Sequence, residues 1–386
     1  VSEVPDTDFH GFGRFFLPGP TEVRPEILEA QVSPMFGHRG QAMKDLMREL
    51  QVGLKDLFQT ERPVLVSTSS ATGLMEAAVR NGVRGRMLAL VNGAFSGRFA
   101  EIGTACGKEV DAFEVPWGQA HDPAEVDRRL SEGRYDAVTV VHSETSTGVL
   151  QPLEKLASIV ARHDDVLLLV DSVTGLAGAP VLTDAWRLDF VLTGSQKALA
   201  LPPGLALGVA SPALLERAES ISDRGVYFDL VSFQKNLEKD QTPNTPALSL
   251  LSALKAQLGR IAAEGMEARW QRHRSMAERC WSWVEETSEE IEGLSVLPPR
   301  PLRSPTVTCI RLPEGLMGPD VVSGMAKRGY VIGGGYGKLK PTTIRIGHMG
   351  DHTMGELNEL LTVLEEVLKS LAAPAGTSAS AGSVGS

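Results

Sequence analysis

Two residues of this chain couple ionisable side chains to positions where ligands bind: Lys197 and Asp171. The apolar run Asp189-Phe190-Val191-Leu192 reads as a buried strand that stops at Gly194, with Lys197 just past its end. A second run, Val166-Leu167-Leu168-Leu169-Val170, ends directly in Asp171. In an α/β sheet, ligands sit outside the carboxyl ends of the strands. Partial burial there lowers a lysine's pKa and frees its lone pair for amine chemistry. The plain alternative is a surface lysine after a strand. The carboxylate at the end of the preceding strand weighs against it.

A lysine and an aspartate so placed suit pyridoxal phosphate. The lysine forms the Schiff base, and the aspartate keeps the pyridinium nitrogen protonated so that the ring acts as an electron sink. Three further strand ends carry matching chemistry. Ser67-Thr68-Ser69-Ser70-Ala71-Thr72-Gly73 leads from a strand into a helix and is either an anion site or an ordinary N-cap. Asn92-Gly93-Ala94-Phe95-Ser96-Gly97-Arg98 offers an aromatic, Phe95, that can stack on a flat ring or cap the core. Val141-His142-Ser143-Glu144-Thr145-Ser146-Thr147-Gly148 supplies hydroxyls for a ring oxygen, or forms a local hydroxyl turn.

Ser195-Gln196-Lys197-Ala198-Leu199 with Pro202-Pro203-Gly204, Val170-Asp171-Ser172, and Glu144-Thr145-Ser146-Thr147-Gly148 together resemble the class V aminotransferases. The likeness is greatest to the alanine/serine–glyoxylate (or –pyruvate) group and runs from about Leu17 to about Gly350. It implies a fold-type I pyridoxal phosphate transferase in which Lys197 carries the cofactor and Asp171 meets its ring nitrogen. It further implies that Ser70, Ala71 and Thr72 hold the cofactor phosphate, although Ala71 stands where the family commonly has glycine. By the same resemblance Phe95 stacks on the ring, Thr145 bonds the ring oxygen, and Gln196 supports the phosphate or ring oxygen. Thr245, in Gln241-Thr242-Pro243-Asn244-Thr245-Pro246, matches a position that reaches the phosphate of the neighbouring subunit, which implies a homodimer. From the residues alone Thr245 is a capping threonine before a proline. Arg345, beside Gly347-His348-Met349-Gly350, matches the arginine that grips the substrate's α-carboxylate with its planar fork. The implied reaction is ping-pong transfer from a small L-amino acid, alanine or serine first, to a 2-oxo acid, glyoxylate or pyruvate. No second arginine stands out for a distal carboxylate, though aspartate and aminoethylphosphonate transaminases share the fold. A lyase of the cysteine desulfurase type needs a cysteine on a mobile loop, which Cys106, Cys280 and Cys309 do not offer by their surroundings. A non-catalytic relative would be expected to lack Lys197 or Asp171.

The elements that must position these residues follow from the apolar patterning. Strands at Pro63–Val66, Met87–Val91, Val110–Val115, Asp136–Val141 and Leu207–Ala210 alternate with helices, including an amphipathic one from Gln41 to Phe58. This predicts an α/β fold with a mostly parallel, doubly wound sheet. A helical stretch from about Glu264 to Glu292, strands at Val307–Leu312, Tyr330–Ile332 and Thr343–Ile346, and a helix from Met354 to Ala372 predict a smaller α+β domain. The expected divisions are a loose segment at 1–13, a large cofactor-binding domain at 14–263, a small domain at 264–372 and a disordered tail at 373–386. A chain of 386 residues with 42% hydrophobic residues can fill two cores.

The net charge of -10 argues against nucleic-acid and anionic-membrane partners. Three scattered cysteines suit a reducing compartment, and the acidic start lacks the features of a signal peptide, so a cytoplasmic location is expected. No run approaches a membrane span. No metal is expected: His142 lacks a partner at ligand spacing, and Gly350 interrupts His348 and His352. Gly333-Gly334-Gly335-Tyr336-Gly337-Lys338 fails as a phosphate loop, because Ile332 and Leu339 stand where glycine and a hydroxyl are needed, and reads as a flexible hairpin. His38-Arg39 stays open between an active-site pair and the flank of the next helix.

Overall fold

The computed structural model describes residues 12–372. The expected tail at 373–386, and all but two residues of the expected loose segment, lie outside the described residues. A two-residue strand, β1 (Phe15–Phe16), and the helix Gln41–Phe58 precede the main sheet. That helix buries Met43, Leu46, Met47, Leu50, Leu54 and Leu57, the residues whose spacing predicts it. The main sheet takes β2 (Val64–Ser67), β3 (Arg86–Val91), β4 (Glu109–Glu114) and β5 (Ala137–Val141). A small hairpin follows, of β6 (Ser143–Glu144) and β7 (Val149–Leu150), and then β8 (Leu167–Asp171), β9 (Phe190–Gly194) and β10 (Ala206–Ala210).

The order across the main sheet is β2-β10-β9-β8-β5-β3-β4. Neighbours from β9 to β4 pair in parallel, whereas β10 runs antiparallel to both β9 and β2. A parallel return needs a crossover of a dozen or more residues. The loop from β9 to β10 is too short for one, so the chain turns straight back. Every residue of β5, β8, β9 and β10 is buried, as in a sheet covered by helices on both faces. All strands except β10 share one direction, so the ends of β2, β3, β5, β8 and β9 open on one edge.

A second sheet joins β11 (Ser295–Val296), β12 (Thr308–Arg311), β13 (Val331–Gly334) and β14 (Thr343–Ile346) in the order β1-β13-β14-β12-β11. Helices Met266–Thr287 and Met354–Ala372 cover it, and Trp281, Ile310, Ile344, Leu360 and Leu364 fill a core distinct from that of the main sheet. Phe15 and Phe16 fall within the expected large domain, yet β1 pairs in parallel with Val331 and Ile332, and Phe16 is buried in the second core. The helical run expected from about Glu264 to Glu292 forms as Met266–Thr287, set off from the preceding helix Leu248–Glu264 by Gly265, where φ is 82°. Among the described residues, no helix is long and apolar enough to cross a membrane, and no three His, Cys, Asp or Glu side chains group to hold a metal ion.

Candidate active site

Lys197 leaves β9 on a loop that closes on itself. The Ser195 N–H donates to Leu205 O (3.0 Å), the Ser195 hydroxyl to Pro202 O (2.7 Å), and the Leu201 N–H to Ser195 O (3.0 Å). The Lys197 carbonyl accepts from the Ala200 N–H (2.8 Å) and the Thr21 hydroxyl (3.0 Å). The next carbonyl, Ala198 O, accepts from Arg269 (2.8 Å), a buried guanidinium that also pairs with Asp351 (3.1 Å) and Glu264 (2.8 Å). So fixed, the lysine side chain runs beneath the loop after β1 and donates from Nζ to the carbonyl oxygen of Pro18. Gly19 has a φ of +107°, and a Cβ there would lie 2.3 Å from Nζ. Lys197 is 8% exposed. Burial, assisted by the charge of Arg345, lowers its pKa to about 8 against the opposing pull of Asp171.

Asp171 ends β8 and is buried. One carboxylate oxygen accepts the Val173 N–H at 2.8 Å, and the group makes no ion pair among the described residues. Burial raises its pKa to about 7; the Val173 N–H opposes that shift and the nearby Glu144 adds to it. A carboxyl group in this state lacks a cation, and a protonated ring nitrogen is one that fits.

The loop after β2 opens the helix Ala71–Gly82 with Ser70 at the N-cap position, but the Ser70 side chain makes no capping hydrogen bond. The ordinary-cap alternative therefore fails here. The helix N-terminus keeps donors and a dipole suited to a phosphate.

Phe95 stands in the first turn of the helix Ala94–Ala105, and the fully buried Glu144 holds that turn. Its carboxylate accepts the N–H groups of Phe95 (3.2 Å) and Ser96 (2.9 Å) and the hydroxyls of Ser96 (3.0 Å) and Ser146 (2.6 Å). Phe99 is the core aromatic of this helix, at 1% exposure, and Phe95 stays half-buried against the cavity. Thr145 shares a hydrogen bond between hydroxyls with Thr174, a residue the motifs do not single out.

One cavity thus brings together Lys197, Gln196, Asp171 and Thr145 from strand ends with Ser70, Ala71, Thr72 and Phe95 from two helix starts. Arg345 comes from β14 of the second sheet and stands at the Thr145 edge. It donates to Gly334 O (2.8 Å) and Thr145 O (3.2 Å). Thr245 does not join them. It is exposed and lies beside Thr68 and Tyr227 in a separate pocket. Nor does it cap the following helix, whose N-cap is Ala247 and whose Ala247 N–H is taken by the Thr68 hydroxyl (3.0 Å). Arg39 braces this loop by donating to Thr242 O (2.7 Å) and Pro243 O (3.0 Å).

Two functional-looking residues are absent from the sequence-based list. Arg98 lines the cavity, so a second arginine is present after all. Its spacing of three from Phe95 on one helix is the signal that marks it. Tyr336, in the hairpin between β13 and β14, sets its ring 5.5 Å from that of Phe95. None of the cysteines lines the cavity. Cys280 and Cys309 are buried, which raises their thiols to about 12 and about 11, and burial raises that of Cys106 as well. A thiol-dependent lyase finds no nucleophile here.

The family model for class-V aminotransferases matches residues 26–348. An uncharacterized aminotransferase of Methanocaldococcus jannaschii is 36% identical over 92% of each chain. Among solved structures, an alanine–glyoxylate aminotransferase from Nostoc sp. superposes with a TM-score of 0.87 at 32% identity, covering 92% of this chain and 95% of that one. A subgroup IV aspartate aminotransferase from Thermus thermophilus gives 0.85 at 34% identity, covering 93% and 99%.

Proposed function

We propose, for a chain that belongs to the class-V aminotransferases and is therefore a transaminase, that it moves the amino group of a small L-amino acid to glyoxylate or pyruvate. The observation that carries the reading is the meeting of a buried lysine, a buried unpaired carboxyl group and an uncapped helix N-terminus in one cavity. These three groups fit pyridoxal phosphate at its carbonyl carbon, its ring nitrogen and its phosphate. When bound, the cofactor supplies an electron sink for cleavage of the substrate's Cα–H bond.

The chain's own residues do the rest. Asp171 holds a proton on the ring nitrogen and gains the cation that its burial otherwise denies it. The first-turn N–H groups at Ala71 and Thr72 and the Ser70 hydroxyl take the phosphate, with Gln196 beside them. The Phe95 ring offers a flat apolar wall, and the Thr145 hydroxyl reaches the ring oxygen. Arg345 binds the substrate α-carboxylate and so turns Cα toward Lys197. With a pKa lowered by burial, the Lys197 amine is a base suited to take the proton from Cα near neutral pH. Amino group and oxo acid then exchange in two half-reactions, which gives ping-pong kinetics.

A homodimer belongs to this reading. Thr245 is exposed and outside its own chain's cavity, as a residue serving a neighbouring site must be. Val32, Met35 and Val226 are 89%, 75% and 90% exposed, apolar surface that a second copy would cover. Free cysteines accord with a cytoplasmic location.

The test is the absorption spectrum of the purified protein with pyridoxal phosphate, before and after each of L-alanine, L-serine and L-aspartate. A visible band that bleaches with a donor and returns with glyoxylate or pyruvate is the expected result. Failure to take up the cofactor, or unimpaired turnover by Lys197→Ala, would overturn it.

A further inference from the structure

The cavity contains a cation that the reaction as described leaves idle. Arg98 is half-buried and lines the cavity beside Phe95, its guanidinium 5.1 Å from that ring's centroid. Among the described residues it forms no ion pair. Its one hydrogen bond is long, 3.5 Å from Nη2 to the Tyr336 hydroxyl. Arg224 and Arg272, also half-buried, are matched by Asp229 at 2.8 Å and by Glu264 at 2.6 Å, whereas Arg345 shares with Arg98 the lack of an ion pair among the described residues. A guanidinium drawn out of water without a counter-charge is costly, and an arriving anion relieves that cost.

The placement of Arg98 in the cavity and of Arg345 at its Thr145 edge indicates which anion. Tyr336 lies between them. The guanidinium of Arg345 sits 5.5 Å from the centre of its ring, and Arg98 reaches its hydroxyl. Arg345 takes the α-carboxylate in the reading above. The phosphate has its own donors at Ser70, Ala71 and Thr72, on a different helix from Arg98. What remains for Arg98 is the side chain of the substrate.

We infer that Arg98 and the Tyr336 hydroxyl form a second carboxylate subsite, and that the preferred donor is a short amino diacid of the aspartate type rather than alanine or serine. Two carboxylates then meet two guanidinium groups. A donor with an apolar side chain leaves Arg98 unmatched and loses by that difference. The inference rests on the transaminase reading, since it assigns a substrate to that site.

The experiment uses the holoenzyme with glyoxylate as acceptor and compares kcat/KM for L-aspartate, L-alanine and L-serine. The expected preference for aspartate is about tenfold to a hundredfold, as for a charge-assisted contact at a half-exposed site. Arg98→Gln should lower the aspartate-to-alanine ratio by about tenfold or more, and Arg98→Lys should restore part of it. The visible cofactor band reports that each variant is folded and loaded. Inhibition constants for succinate and propionate, which carry two and one carboxylates and no amine, test the subsite without turnover. Arg98→Gln should weaken succinate about tenfold more than propionate. A wild-type preference for alanine or serine over aspartate, or equal losses for both donors or both inhibitors in Arg98→Gln, would overturn the inference. Transfer from none of the donors would instead overturn the transaminase reading, and the two inhibitors would then decide the subsite alone.

Discussion

The side-chain amine of Lys197 donates a hydrogen bond to the carbonyl oxygen of Pro18, 179 residues earlier in the chain. The lysine is therefore held from both ends: its backbone by the closed loop after β9, its Nζ by the loop after β1. Gly19 leaves the space for it.

Gly19→Ala places a methyl group where the lysine amine lies, on a residue whose φ of +107° already disfavours a side chain. The lysine must move. A displacement of this size costs about a hundredfold in catalysis, so kcat should fall by that order. Steady-state rates beside the cofactor absorbance of the same sample check it, and the band should shift rather than disappear.

Burial of Lys197 should also be visible as a pH dependence of stability. Its folded pKa of about 8 lies below the ordinary 10.5. Between those values the unfolded chain holds the extra proton, so stability of the cofactor-free protein rises with pH across that window. Below about pH 8 the cost of the buried charge is fully present. Lys197→Met removes it and should stabilise the cofactor-free protein at pH 7 by up to about 3 kcal/mol. The advantage should shrink toward pH 10.5 in urea denaturation series.

Glu144→Gln keeps the shape of the side chain and removes the charge at the start of the Phe95 helix. The carboxylate accepts from three N–H groups, of Phe95, Ser96 and Ser146, and from two hydroxyls, and the amide can satisfy fewer of them. A loss of about 1–3 kcal/mol is expected from the strained network and the lost helix-terminus charge. Cofactor affinity should weaken with it, because the same turn carries Phe95. Denaturation midpoints and titration with pyridoxal phosphate give the two readings.

Arg345→Lys preserves charge but loses the planar fork that also braces Gly334 O and Thr145 O. Donor KM should rise about tenfold or more, with the cofactor band unchanged in the absence of substrate. A fall in kcat at unchanged KM would argue against carboxylate binding at this position.

Much of this site was legible in the chain because it sits at strand ends. An apolar run that stops at Gly194 or at Asp171 announces where its polar neighbour will lie, and parallel strands bring such ends to one edge. What was not legible depends on pairing across distance. Nothing local to Phe15–Phe16 says that its partner is Val331–Ile332. The direction of β10 depends on a short return that the apolar pattern does not encode. Glu144 reads as one polar residue in a hydroxyl run, and its role as the anchor of the Phe95 helix exists only once β6 and that helix are adjacent. Arg98 and Tyr336 are 238 residues apart and lie in separate sheets' territory, so their meeting is a property of the assembled fold.

The pairing of β1 with β13 also sets an order on synthesis. Phe15 and Phe16 leave the ribosome almost a full chain length before Val331 and Ile332. Domains generally form as units from the N-terminus during translation, and contacts distant in sequence form late. The main sheet can close around Lys197 while the Pro18 carbonyl still has no fixed place. A nascent chain that stops short of β13 can then own every strand end of the cavity yet lack the restraint on its lysine and the arginine of β14. Competence for chemistry arrives with about the last seventh of the protein, all at once, and an interrupted chain is left inert.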